Sequence, residues 1–238
     1  MRLSIGNLLL GSRRAVGGPP AVLSDGNTVA WFDYLERITK DGSNLVSVWG
    51  DKSVDSAGDL NAHNLLQATG TNQPIVNANG VLFPGVDEFM KCASFTLAQP
   101  EQIYIVLNQK SFTNQDRICD GNTDNSGTVY QSNTELEAIS TYALGGGTLP
   151  LNENNVLNTY QILRILFNGA SSKSIINETA TIIGNPGSAD MSGFTLGANG
   201  LSGEFGNIEV KEIIIRRISD TSINEQIIYD YLSKKYSI

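Results

Sequence analysis

Two cysteines and a single histidine in 238 residues leave almost no material for a soft-metal centre or a thiol active site. A secreted scaffold held by disulfides would carry more, so Cys92 and Cys119 read as small buried hydrophobes; whether they pair is left open. His63 lies in a polar stretch between Asn61 and Asn64, and no Gly-x-Ser-x-Gly elbow accompanies it, which removes the usual serine hydrolase arrangement. Charged residues make up only 17% of the chain, and their sum is −8. That balance opposes nucleic acid backbones and anionic membranes. The basic pairs Arg13-Arg14, Arg216-Arg217 and Lys234-Lys235 are too short to reverse it. No run approaches the roughly 18 apolar residues of a bilayer span. Leu8-Leu9-Leu10 is too short for the core of an export signal, and its arginines follow rather than precede it. The expectation is a protein that matures where it is made.

Glycine is plentiful, at 24 residues, and hydrophobic content is 40%, enough for a sizeable core with many tight turns. From Val29 onward, short β-rich runs recur between Gly, Asn and Asp. Gln102 to Leu107 and Ile162 to Phe167 read as central strands, and Asn168-Gly169 as a hairpin turn whose positions tolerate positive φ. Near the end, Gly203 to Arg217 reads as a long strand that alternates at Ile208 and Val210 and becomes wholly apolar at Ile213-Ile214-Ile215. A helix from Ser222 follows, with Ser222 and Glu225 as a capping box, apolar residues at Ile223, Ile227, Ile228, Tyr231 and Leu232, and lysines at its end. No βαβ spacing repeats. The expected fold is all-β, an antiparallel jelly-roll β-sandwich with a short C-terminal α-helix.

The first twenty residues form a separate expectation. Gly17-Gly18-Pro19-Pro20 cannot continue a helix or sit in a central strand, so residues 1–20 read as an N-terminal arm and linker ahead of a sandwich at 21–238. Ile5, Leu8, Leu9, Leu10, Arg13 and Arg14 are the arm residues expected to dock on a neighbouring subunit.

A series of motifs carries a family resemblance. Val46-Ser47-Val48-Trp49-Gly50-Asp51-Lys52-Ser53, then Gln67-Ala68-Thr69 and Gln73-Pro74, then Phe83-Pro84-Gly85-Val86-Asp87-Glu88-Phe89-Met90, stand in the order of laminin-G-like, concanavalin A-like jelly-roll domains. Phe167-Asn168-Gly169, Gly203-Glu204-Phe205-Gly206-Asn207 and the closing Tyr231 to Tyr236 continue it, over about Val29 to Ile238. The resemblance implies two facing antiparallel sheets and glycan or protein binding, as in domains of tailed-phage virion proteins and bacterial surface proteins. Val54 to Leu60 departs from the compact turn of that group.

Three chemistries set distinct residue requirements. Glycoside hydrolysis needs two carboxylates about 5–9.5 Å apart. Glu135 and Glu137 share a strand face without a third acid, and Glu204 and Glu209 are oddly spaced, so no catalytic pair is expected. Calcium would need hard oxygen ligands, and Asp116, Asp120 and Asp124, with Asn122 and Asn125, concentrate them in one loop; no other cofactor is expected. Glycan binding needs an aromatic face beside amides or carboxylates, for which Asp120, Asn122, Asp124, Tyr130, Gln131 and Tyr142 are the candidates. Trp31 and Trp49 read instead as core anchors, and Gly145-Gly146-Gly147 as a turn.

Together these readings predict a non-enzymatic virion structural protein, a capsid decoration or fibre subunit. It would be a homo-oligomer assembled in the host cytoplasm, contacting other virion proteins through its arm and a host-surface glycan through its loops. The alternatives are a bacterial cell-surface carbohydrate-binding domain and, behind it, a glycoside hydrolase.

Overall fold

The computed structural model describes residues 18–132, 138–151 and 155–238. Two antiparallel sheets face each other as a β-sandwich, with one α-helix at the C-terminus. The expected arm residues Ile5, Leu8, Leu9, Leu10, Arg13 and Arg14, and the pair Glu135 and Glu137, lie outside the described residues.

The first sheet is centred on Glu101–Gln109, flanked by Tyr160–Phe167 and Ile208–Arg216, with Ser172–Ile176 and Ile182–Gly184 continuing outward. Beyond Ile208–Arg216 the neighbour changes along the strand. Ile208 to Val210 pair with Val81–Phe83, whereas Glu212 to Arg216 pair with Thr28–Asp33. The change falls at Lys211, where the register against Glu101–Gln109 slips, as at a β-bulge. This break explains the sequence pattern. Ile213 and Ile215 enter the core between the sheets, while Ile214 joins a second cluster on the opposite face.

That second cluster exists because the outer face of the first sheet is covered. Trp31, Tyr104, Val106 and Ile214 pack against Ile228 and Leu232 of the helix Ser222–Tyr236 and against Leu23 of the short 3-10 turn Ala21–Ser24. Thr221, one residue ahead of the expected cap, caps the helix by accepting from the Asn224 amide at 3.2 Å. Glu225 is not the reciprocal half of a capping box. It is buried and paired with Lys173 and Arg164 of the sheet. Of the expected apolar stripe, Ile228 and Leu232 are buried, but Ile223 is 70% exposed and Tyr229 takes a buried position instead.

The second sheet runs in the order Leu149–Leu151, Ala138–Tyr142, Thr128–Ser132, Arg117–Asp120, Thr195–Leu196, Met90–Lys91, Leu65–Leu66, Val46–Trp49 and Ile38–Lys40. Its inner face supplies Trp49, Met90, Val129 and Ile139 to the core, against Phe32, Ile105 and Ile165 of the first sheet. Phe32 meets Trp49 edge-on at 6.1 Å and stacks with Phe194 at 6.4 Å, geometries worth about 0.5–1.5 kcal/mol each beyond their burial. Both tryptophans are buried, as the sequence led one to expect. Cys92 and Cys119 are free and buried. No helix among the described residues is long and apolar enough to cross a membrane.

Candidate functional site

On the second sheet, alternation decides which residues face outward. Val129 points into the core, so Tyr130 beside it lies on the outer face. Tyr130 is opposite Ser140 and Thr128 opposite Tyr142, which makes Tyr130 and Tyr142 diagonal neighbours on one face. On the other side, Val129 pairs with Cys119 but Tyr130 pairs with Arg117, so the register slips by one residue at Ile118. The slip sends both Ile118 and Cys119 into the core and brings Arg117 beside Tyr130, its guanidinium carbon 5.0 Å from the ring centre.

These residues line a pocket of ≈ 180 Å³ together with Gln115, Asn125 and Thr148. The Tyr130 hydroxyl is 3.2 Å from Thr148 Oγ1. Arg117 donates through Nη1 to the Gln115 carbonyl at 2.7 Å and through Nη2 to Asn125 Oδ1 at 3.3 Å. Its Nη2 also pairs with Glu204 Oε2 at 3.0 Å, while its buried Nε has no partner. Glu204 arrives from a segment that could not lie so close with a larger residue at 206. A Cβ on Gly206 would meet the Arg117 carbonyl oxygen at 2.1 Å. Asp116 stands beside this cluster. Burial raises its carboxyl above the ordinary value, and the charge of Glu204 adds to the effect.

The other candidate residues from the sequence have different places. Asp120 is fully buried, and its Oδ1 accepts from the Gly121 and Ser126 amides and from Thr128 Oγ1. Its Oδ2 accepts from the Asn125 and Gly200 amides. With five donors satisfied inside the protein it holds the loop together rather than offering ligand contacts. Burial nonetheless pushes its pKa up to about 6. Asn122 spans from the Cys92 carbonyl to Thr195 Oγ1, and Gln131 is buried with its carbonyl accepting from Gln109 and Thr113. Asp124 accepts from Asn125 Nδ2 and does not line the pocket. Of the six ligand candidates, only Tyr130 and Tyr142 therefore reach the pocket. Asp116, Asp120 and Asp124, the calcium candidates, are not gathered into one set: no group of three or more His, Cys, Asp or Glu that could hold a metal ion occurs among the described residues.

Arg117, Gln115 and Thr148 escaped the sequence reading, and Asn125 entered it only as a candidate calcium ligand. The motif that could have flagged Arg117 is its position at the start of a strand whose next two residues are both apolar, the mark of a bulge. A second pocket, ≈ 300 Å³, lies on Arg37, Ile38, Thr39, Val48, Gly50 and Asn64 and carries no aromatic ring. His63, stacked on Phe95 at 4.0 Å with Nδ1 2.7 Å from the Val29 carbonyl, belongs to neither.

No family model and no curated protein matches the sequence. Solved structures do match in fold. Domain 4 of AbnA, a GH43 extracellular arabinanase from Geobacillus stearothermophilus solved with arabinotriose, aligns at 11% identity and TM-score 0.54, over 86% of this chain and 98% of that one. An arabinofuranosidase complexed with arabinofuranosyl-alpha-1,2-xylobiose aligns at 12% identity and TM-score 0.60, over 90% of this chain and 64% of that one. Trypanosoma rangeli sialidase aligns at 13% identity and TM-score 0.60 over 91% of this chain. The chain spans about a third of the sialidase chain. At these identities the likeness is one of fold, and it bears out the β-sandwich. It lends no support to the virion role or to the laminin-G-like family. The expectation of a non-enzymatic protein is overturned, since the chains that share this architecture include glycoside hydrolases.

Proposed function

We propose that this β-sandwich recognises carbohydrate through the outer-face pocket of Tyr130 and Tyr142, as a module of the kind that glycoside hydrolases carry. One observation carries the reading: two tyrosines on adjacent strands share a pocket with a guanidinium, two amides and a hydroxyl. Sugar rings present apolar C–H faces and rims of hydroxyls, and a site of this composition answers both. The fold is shared with an arabinanase domain, solved with a trisaccharide, that the chain covers almost completely. Calorimetric titration of the full chain with arabinotriose, xylobiose and sialyllactose tests it. Saturable binding to at least one, lost in Tyr142→Ala with the fold intact by circular dichroism, is the expected result. Absence of binding to every sugar in a broad glycan array would end the proposal.

A second reading, hydrolysis, is favoured by the presence of two carboxyl groups, Asp116 and Glu204, near Arg117, with Asp116 raised by burial as a general acid requires. Release of reducing ends from arabino-oligosaccharides by the wild type, abolished in Asp116→Asn, would establish it. Binding without release would leave recognition alone.

A further inference from the structure

We infer that the pocket is built for one neutral sugar ring and discriminates against sialic and uronic acids; this rests on the carbohydrate reading above. Arg117 is the charged member of the described lining, and in a glycan site such a residue would ordinarily serve a ligand carboxylate through two parallel N–H bonds. Here that fork is already taken. Nη2 is paired with Glu204 Oε2 at 3.0 Å and bonded to Asn125, and Nη1 is held by the Gln115 carbonyl. What remains is Nε, buried and without a partner, on a residue only 5% exposed. Closed off from solvent, it is not presented to a ligand, so no pair of N–H groups is left for a two-oxygen anion.

The surroundings point the same way. Glu204 and Asp116 place negative charge at this edge of the sheet, and the chain as a whole carries −8. A ligand carboxylate would meet like charges with no free cation in the described lining to offset them, a juxtaposition that penalises wrong partners. The other polar groups, Tyr130 OH, Thr148 Oγ1, Asn125 and Gln115, are neutral and match hydroxyls. A volume of ≈ 180 Å³ corresponds to about six waters at about 30 Å³ each, room for one ring rather than an extended chain.

The test compares neutral and acidic probes on the wild type and on Glu204→Gln: arabinotriose and xylobiose against sialyllactose and digalacturonate, by calorimetry at constant ionic strength. The wild type is expected to bind the better neutral probe at least about tenfold more tightly than either acid. Glu204→Gln removes the carboxylate charge paired with the guanidinium and should strengthen acid binding by about tenfold while changing neutral binding less. Equal or tighter acid binding by the wild type overturns the inference and leaves carbohydrate recognition standing, as does a folded Glu204→Gln variant with unchanged acid affinity. Binding of neither class overturns both. Should Glu204→Gln fail to fold, the wild-type ratio decides alone.

Discussion

Lys235 Nζ stands 2.5 Å from Asp33 Oδ2 and 2.6 Å from Glu212 Oε2, so the last turn of the helix is tied to two neighbouring strands of the first sheet. Both carboxylates are almost wholly buried. Tyr236 OH and Trp31 Nε1 also donate to Glu212, each at 2.6 Å. The terminal helix is therefore held by charge at its end and by Ile228 and Leu232 along its length. Removing the lysine as Lys235→Met would leave buried Glu212 without a cation and Asp33 with Lys52 alone, at a cost of about 3–5 kcal/mol. Urea unfolding of the variant should show a correspondingly lower midpoint.

The same cluster sets an acid limit. Burial by itself would raise the Asp33 carboxyl, but the hydrogen bond and charge of Lys235 prevail and hold it below its usual 3.8. A lowered folded value stabilises the fold above the unfolded value and is lost as pH falls through the folded one. Acid titration of the wild type should show this loss below pH 3.8, and Asp33→Asn should flatten it.

Glu101 works in the opposite direction. It is fully buried at the edge of the core, with Oε1 accepting from the Met191 amide and Oε2 without a partner, and burial pushes its pKa up to about 8. A raised carboxyl costs stability as pH climbs from its usual 4.5 toward 8, because the unfolded chain ionises first. Glu101→Gln should therefore stabilise the protein more at pH 8 than at pH 5. Thermal melts at both values check the sign.

Gly206 is the steric gate to the pocket. Gly206→Ala would drive a Cβ to 2.1 Å from the Arg117 carbonyl oxygen, forcing the Glu204 segment away. The expected loss is about 1–3 kcal/mol of stability, as for other overpacked sites. Sugar affinity should fall with it, read by calorimetry below the melting range.

The two thiols should be inert in the folded protein. Burial pushes Cys92 up to about 11 and raises Cys119 well above its ordinary value. A thiol-reactive chromophore should find neither until denaturant is added, since the thiolate is the reacting species.

Sequence alone determined the sandwich. The alternating runs, the Asn168-Gly169 turn with Gly169 at φ +52, and the strand and helix of the last third follow from local chemistry: side-chain period, turn tolerance and capping. Short strands such as Ile38–Lys40 and Leu65–Leu66 were not legible, because two or three residues carry no period and exist only through their neighbours. The candidate site divides in the same way. Tyr130 and Tyr142 could be named in advance as aromatic residues among polar loops. Only the pairing of strands set them diagonally on one face, and only the slip at Ile118 brought Arg117 to Tyr130. Asp120 looked like a ligand for the reason that makes it a loop anchor: a carboxylate accepts whatever donors stand nearest, and folding put five of them around it. Which face an acid or a ring meets is a property of register and crossing. Those depend on contacts between residues far apart in the chain, which no local pattern records.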